Sequence, residues 1–389
     1  MRIDPHDQCN VASRSVCCVI VMVIIGPTFA HADDLLERVI FADEDQEVRQ
    51  VEGRVLVEAL DGGLLVEGRD ARLWTVTPDR LKKRAATQSS FRPFTAGELA
   101  EQLQDEFGRR FKVTQTEHYV ICSNAGEEYT SWCGSLFERL WKGFERHWQD
   151  DELPLSDPET PLAAIVFANA RQFAAYARKD EGPSLSTAKG YYSIRSNRIV
   201  LYDLTAGQKK RRIRSALDVN KRMAAVEFNV ATVVHEATHQ IAFNRAVHTR
   251  YADNPLWLTE GMAMYFETPD LKSRDGWRTA GSINQGRLEQ FRRTLRRRKF
   301  GAIERLIGND DRFRNPKLAT DAYAESWALT HFLIKTRREA YVAYLGQLAQ
   351  KPRLVWDNQE ARIEQFQAAF GADLAQLNRE FLAYVEQLR

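Results

Sequence analysis

Residues 233–240 have the sequence Val-Val-His-Glu-Ala-Thr-His-Gln, a His-Glu-x-x-His motif with apolar residues before it. His235 and His239 are four residues apart, so on an α-helix they lie one turn apart on the same face. Two imidazoles at that spacing can bind one Zn²⁺ ion. Glu236 is adjacent to the first histidine, which favours a general base for the attacking water over a ligand. The motif alone is a weak signal, because paired histidines on a helix are often ordinary surface or core residues.

A carboxylate that can complete the site occurs downstream, in residues 255–267, Pro-Leu-Trp-Leu-Thr-Glu-Gly-Met-Ala-Met-Tyr-Phe-Glu. We expect this stretch to form a second helix, separated from the first by enough chain to run antiparallel to it. Glu260 on that helix can face the two imidazoles, and two histidines, one glutamate and a water form an open catalytic zinc site. Glu267 lies two turns further on the same face. It is a candidate to accept a hydrogen bond from a ligand imidazole; the alternative is an exposed acid at the helix end.

These two blocks resemble the gluzincin metallopeptidases, notably the aminopeptidase N and leukotriene A4 hydrolase group, in which two histidines and a downstream glutamate bind zinc. The chain is also similar to exported bacterial proteins of unassigned function with a peptidase-MA-like domain. The likeness covers most of the chain after the first 32 residues, although only the two zinc blocks are highly specific. It implies one Zn²⁺ ion held by His235, His239 and Glu260, and a peptide or protein substrate. The chain departs from the group at Thr259, where asparagine is usual.

Two further features of that group can be compared with this chain. The strand Gly-x-Met-Glu-Asn, which binds a substrate's free amino group, is missing, and residues 197–200, Asn-Arg-Ile-Val, occupy the expected edge-strand region. Tyr323 is placed like the tyrosine that stabilises the tetrahedral oxyanion, although Glu-Ser follows at the positions where Lys-Gly is usual. The alternative for Tyr323 is core packing with Trp327. His331 and His248 are weaker candidates for the same role.

The first 32 residues are typical of an export signal. An apolar run over residues 16–25 is followed by Gly26-Pro27, and Ala30-His31-Ala32 supplies small residues for cleavage after Ala32. The run is shorter than the roughly 20 residues that span a bilayer. We therefore expect an exported protein, periplasmic or secreted, with no stable membrane span after cleavage; the alternative is an uncleaved anchor.

The cysteines fit an oxidising compartment. Cleavage removes three of the 5 cysteines in the chain and leaves Cys122 and Cys133. We expect these two to form a disulfide, and the alternative is a pair of free, buried thiols.

Composition and patterning predict an α+β protein. Of the 389 residues, 44% are hydrophobic and 28% are charged, which is typical of a globular protein. We expect a small β module over residues 33–90, a zincin-like catalytic domain over 91–270 and a helical region over 271–389 that completes the cleft. Basic runs occur at residues 209–214 and 292–299, but the net charge of +2 gives no bias towards nucleic acid.

The sequence thus predicts an exported zinc-dependent metallopeptidase of unknown specificity, with Glu236 as general base and Tyr323 as oxyanion donor. The alternative is a non-catalytic zinc-binding protein of the same fold, acting as a binding or structural module. The presence of Glu236 favours the enzyme, because a structural zinc site is usually closed by four ligands and needs no base.

Overall fold

The computed structural model describes residues 35–151, 153, 155–206, 213–225, 227–273 and 275–389. The predicted export signal and most of the first basic run lie outside these residues. Two sheets occupy the first half of the described chain and helices dominate the second half, which confirms the α+β class.

An antiparallel sheet of five strands occupies the residues predicted for the β module. Its spatial order is β4-β3-β2-β1-β5. One face buries a small core of its own, with Val39, Phe41, Leu64 and Val66 at its centre. The strands are β1 (Leu35–Ala42), β2 (Val48–Glu58), β3 (Leu64–Gly68), β4 (Leu73–Val76) and β5 (Leu81–Ser90).

A second sheet of five strands forms the framework for the candidate site. Its order is β6-β7-β8-β10-β9, in which β7, β8 and β10 are mutually parallel and the two outer strands are antiparallel to their neighbours. β9 is therefore an edge strand. The strands are β6 (Lys112–Gln115), β7 (Tyr119–Ser123), β8 (Leu162–Phe167), β9 (Gly190–Ser193) and β10 (Arg198–Tyr202).

Helices pack on both faces of the second sheet and form most of the second half of the described chain. Within the described residues they are α1 (Ala96–Phe107), α2 (Glu127–Trp148), α3 (Ala170–Asp180), α4 (Ala216–Ala224), α5 (Glu227–Asn244), α6 (Leu256–Phe266), α7 (Gln285–Leu295), α8 (Ala302–Gly308), α9 (Asp311–Arg314), α10 (Ala319–Thr336), α11 (Arg338–Ala349), α12 (Gln359–Phe370) and α13 (Leu374–Gln387). None of the described helices is both long enough and apolar enough to cross a lipid bilayer.

The predicted disulfide is wrong. Side chains alternate across β7, so Tyr119 and Ile121 enter the core beneath α2 while Cys122 enters the opposite core beneath α1. Cys133 lies on α2, on the first side. The two thiols are separated by the sheet, and both cysteines are free and buried.

The N-terminal sheet contacts the turn between β9 and β10. The backbone N–H of Leu73 donates to the carbonyl of Arg195 at 2.8 Å. Arg250, which is buried, donates to the carbonyls of Ala71 and Ile194 and to the carboxylate of Glu67. The N-terminal sheet therefore holds in place the hairpin that contains the edge strand.

Candidate metal centre and active site

The His-Glu-x-x-His motif lies on α5, which is buried between the second sheet and the helical half. Val233, Val234, Ala237 and Ile241 are fully buried core residues, so both flanks of the motif are fixed by packing. The side chain of Gln240 donates to two backbone carbonyls of the sheet region. A helix that is apolar on most sides is expected to be buried. The close packing around it then restricts its polar side chains to few conformations.

The structure brings together the three predicted ligands. Nε2 of His235 lies 3.1 Å from Oε2 of Glu260, Nε2 of His239 lies 3.1 Å from Nε2 of His235, and Nε2 of His239 lies 3.6 Å from Oε2 of Glu260. All three residues are buried, at 4%, 9% and 7% exposure for His235, His239 and Glu260. These atoms form a compact triangle of two nitrogens and one oxygen.

The triangle matches the dimensions of a zinc site. Ligand atoms about 2.0–2.1 Å from a tetrahedral Zn²⁺ ion are separated from one another by about 3.3–3.4 Å. The three observed separations, 3.1, 3.1 and 3.6 Å, lie around that value. The residues present thus fit three corners of a tetrahedron and leave the fourth corner for water or substrate.

Glu260 is positioned by α6 and by the close approach of α10. The N–H of Leu256, at the start of α6, donates to the carboxylate of Asp310. A Cβ built at Gly261 would lie 2.1 Å from Oγ1 of Thr330 and 2.9 Å from the carbonyl oxygen of Ser326, so only glycine permits this crossing of the helices. The Glu-Gly pair of the sequence therefore supplies a candidate ligand and the space for the neighbouring helix.

The charge on Glu260 is stabilised by the two histidines. Burial alone would raise the pKa of Glu260, but the attraction of His239 and hydrogen bonds with His235 and His239 outweigh burial and lower that pKa. Glu260 is therefore a carboxylate over the ordinary pH range, as a metal ligand must be.

Glu236 lies beside the triangle and contacts the edge strand. The backbone N–H of Tyr192 donates to Oε2 of Glu236 at 2.8 Å. Burial, together with repulsion from Glu260, raises the pKa of Glu236 to about 8, although His239 and the Tyr192 N–H act in the opposite direction. A cation held by the three candidate ligands would lower this pKa and favour the carboxylate form that a general base requires.

The edge strand is not where the sequence predicted it. Residues 197–200 belong to the turn and to β10, which is an internal strand, and the edge is formed by β9. A Cβ built at Gly190 would lie 3.8 Å from Cγ of Glu236. The hydroxyl of Tyr192 donates to Asn197 at the turn of the hairpin. β9 thus forms one wall of the candidate cleft.

Glu267 has a different partner from the predicted one. Its carboxylate accepts hydrogen bonds from Arg287, the closest at 3.0 Å, and from Asn284 at 3.4 Å. None of the hydrogen bonds among the described residues joins Glu267 to either ligand imidazole. Burial opposes the charge on Arg287, but Glu267, Tyr323 and Glu260 together raise its pKa. This arginine, which the sequence analysis missed, therefore lies within electrostatic reach of the site.

Tyr323 is buried on α10, which packs against α6 and α7. Its ring makes an edge-to-face contact with Phe313, and Trp327 packs instead against His331. Both nitrogens of His331 have partners, the carbonyl of Gly281 and the hydroxyl of Tyr384, which makes His331 a packing residue. Tyr323 stays the candidate oxyanion donor.

A second group of metal-type side chains comprises Glu117, His118 and Glu138. Both oxygens of Glu138 already accept hydrogen bonds, from Thr116 and from the backbone and ring of His118. The His118 ring also stacks on Trp141. These contacts fasten the β6–β7 hairpin to α2 and are explained without an ion.

A comparison with protein-family models matches the segment of the chain that contains the candidate site. A family model described as "Protein of unknown function (DUF1570)" matches residues 229–354. The matched segment extends from the start of α5 beyond the end of α11 and contains His235, Glu236, His239, Glu260 and Tyr323. A search of curated proteins finds no match. Over the helices that contain the candidate site, the chain is thus similar to a family whose description assigns no activity.

Proposed function

We propose that the protein is an exported zinc-dependent metallopeptidase. The proposal depends on one observation: three buried ligand atoms from His235, His239 and Glu260 lie at the separations of a tetrahedral zinc site, with Glu236 beside them. Zn²⁺ bound there would polarise the scissile carbonyl and lower the pKa of a water molecule.

The side chain of Glu236 acts as general base and then as general acid. Its carboxylate takes a proton from the attacking water and delivers it to the nitrogen of the leaving amine. The N–H of Tyr192 fixes one carboxylate oxygen, so the orientation of the base is set before substrate binds. Tyr323 is the proposed donor to the oxyanion, a role that is typically worth about 10²–10³ in rate.

The place of β9 at the edge of its sheet supports a peptide as the substrate. An extended peptide commonly binds at a sheet edge as an additional strand. β9 lies beside Glu236, so a peptide bound in this way would pass close to the proposed general base.

The alternative is a non-catalytic zinc-binding protein of the same fold. Two features favour the enzyme: the triangle leaves one coordination position open, and the carboxyl group of Glu236, which accepts a hydrogen bond from the N–H of Tyr192, lies beside the triangle. A structural zinc site needs neither feature.

Cleavage of an unbiased peptide library, followed by mass spectrometry, tests the proposal. The protein should be supplied with equimolar zinc, and a chelated sample should serve as control. We expect cleavage only in the zinc-containing sample. Stoichiometric zinc binding without cleavage of any peptide would favour the non-catalytic alternative.

A further inference from the structure

Two rows of polar side chains run along α5, offset from each other by one residue. His235 and His239 form the first row and face the candidate ligand on α6. The second row consists of Glu236, Gln240 and Asn244. Residues four apart share one face of a helix, so the second row has a face of its own, about 100° around the helix from the histidines.

All three residues of the second row contact the hairpin formed by β9 and β10. Glu236 accepts a hydrogen bond from the backbone N–H of Tyr192 at 2.8 Å. One turn further along α5, the side chain of Gln240 donates to the carbonyl of Asn197 at 2.7 Å. In the next turn, the side-chain amides of Asn244 and Asn197 donate to each other, both at 2.8 Å. The hairpin is thus attached to α5 at three successive turns of the helix.

Asn197 lies at the centre of these contacts. Its φ of 58° is in the left-handed region, which asparagine adopts more readily than most residues. Its backbone N–H donates to the carbonyl of Ser193 at 2.8 Å, and its side-chain oxygen also accepts a hydrogen bond from the hydroxyl of Tyr192 at 2.8 Å. Asn197 is 3% exposed, so its polar groups need partners within the protein. The turn of the hairpin, the end of α5 and the side chain of Tyr192 therefore meet at one buried residue.

Tyr192 is consequently held at both its ends. Its hydroxyl is bound at Asn197, its ring stacks on Phe243 with the centroids 5.6 Å apart, and its N–H is bound at Glu236. A slip of the hairpin by one residue along α5 would move this N–H by about 3.3 Å, beyond hydrogen-bond distance of the carboxylate. Asn244 opposes such a slip from a position eight residues, or about 12 Å, along the helix axis from Glu236.

We propose that Gln240 and Asn244 are positioning residues for Glu236. Through Asn197 they fix the register of the hairpin on α5, and that register places the N–H of Tyr192 against the Glu236 carboxylate. None of the hydrogen bonds among the described residues joins either side chain to a candidate metal ligand, so neither acts on a metal directly. The effect on turnover rests on the proposed peptidase function, whereas the register can be measured without turnover.

Amide hydrogen exchange of β9 in the full-length protein, followed by mass spectrometry, tests the register. Asn244→Ala removes the reciprocal amide pair, and Asn244 is a half-buried residue at the end of α5, so its truncation does not endanger folding. Asn197→Gly removes the same pair, and glycine readily keeps the left-handed φ. Each variant should accelerate exchange of the peptide that contains Tyr192 by about fivefold or more, as expected for the loss of a typical hydrogen bond.

Asn220→Ala is the matched control. The side chain of Asn220 also makes two hydrogen bonds, but they join α4 to α2 and to the segment after α6. This variant should leave the exchange of β9 unchanged. In steady-state kinetics, Asn244→Ala and Asn197→Gly should each lower kcat by about fivefold or more with a smaller change in KM and parental zinc content. The double variant should be no worse than the more severe single variant, because both changes remove one shared contact.

The possible outcomes separate this proposal from the peptidase function. Unchanged exchange of β9 in both variants overturns the positioning role, and so does faster exchange with a parental kcat. Strictly additive effects in the double variant also contradict it. If the parent cleaves no peptide, the peptidase function fails and exchange alone decides: faster exchange in both variants then supports the register, and unchanged exchange overturns it. Cleavage by the parent with unchanged exchange in both variants leaves the peptidase function intact and removes the positioning role.

Discussion

The backbone N–H of Tyr192 donates a 2.8 Å hydrogen bond to Oε2 of Glu236, which joins the edge strand β9 to the centre of α5. In the proposed peptidase, this contact would join the strand that aligns the substrate to the general base that acts on it. It also favours the charged form of Glu236 in a place where burial disfavours that form. The position of β9 therefore affects the pKa of Glu236.

Loss of this hydrogen bond should reduce turnover. Tyr192→Pro removes the N–H, which faces away from β10 and is therefore not part of the sheet ladder. Tyr192→Ala, which keeps the N–H but removes the ring, is the matched control. A hydrogen bond to a charged group contributes about 1.5–3 kcal/mol, so kcat/KM should fall at least about tenfold further in the proline variant than in the alanine variant. Equal rates in the two variants would show that the contact has no part in catalysis.

The pair formed by Glu267 and Arg287 should contribute to stability. Glu267→Gln leaves the guanidinium without its counter-ion in a mostly buried position, where the side chain of Arg287 is 20% exposed. We expect a loss of about 2–3 kcal/mol in the free energy of unfolding, measured by urea denaturation. Glu289→Gln, which alters an exposed acid on α7, should change stability by less than about 0.5 kcal/mol. A double variant with Arg287→Gln should recover part of the loss, and strictly additive effects would contradict the pairing.

His147 should make the protein sensitive to acid. Burial, reinforced by Arg338 and Lys335, lowers the pKa of His147 to about 3 from its ordinary value of 6.5. Between these values the unfolded chain binds a proton that the folded protein does not, so stability is complete above pH 6.5 and falls as the pH decreases. At pH 5 the loss from this residue is roughly 2 kcal/mol.

His147→Gln checks that assignment, because glutamine does not titrate and can still accept the hydrogen bond from Arg338. Urea denaturation of parent and variant at pH 7 and pH 5 should show a smaller loss of stability in the variant, by roughly 2 kcal/mol. Parallel losses in the two proteins would mean that His147 is protonated in the folded state.

The two cysteines should be unreactive in the native protein. Burial raises the pKa of Cys122 to about 12 and raises that of Cys133 as well, so neither forms the reactive thiolate. Without reductant, iodoacetamide should modify neither residue in the folded protein and both residues after unfolding in urea. If the peptides that contain Cys122 and Cys133 stayed cross-linked after unfolding, the disulfide prediction would be correct after all.

Periodicity and spacing along the chain were sufficient to predict that His235, His239 and Glu260 lie together. His235 and His239 are one helical turn apart, and Glu260 lies on the next helix, so each position follows from local rules. Both helices are apolar on most sides, which explains their burial in the structure.

The contacts that the sequence did not reveal are those between distant segments. β9 is four residues long and begins with Gly190, so no alternating pattern distinguishes it from a loop. Arg287 is paired with Glu267 across a break between two helices. The disulfide prediction failed because the face of β7 on which Cys122 lies depends on strand register, which spacing between cysteines does not encode.

The measurement that tests the account most directly is zinc content and peptide cleavage on the same sample of the Glu236→Gln protein. The account predicts about one zinc ion per chain, as in the parent, with cleavage abolished, because the ligands are intact and the base is lost. His239→Ala, prepared in parallel, should lose both the zinc and the activity. Cleavage at the parental rate by Glu236→Gln, or a parent protein that binds no zinc, would contradict the account.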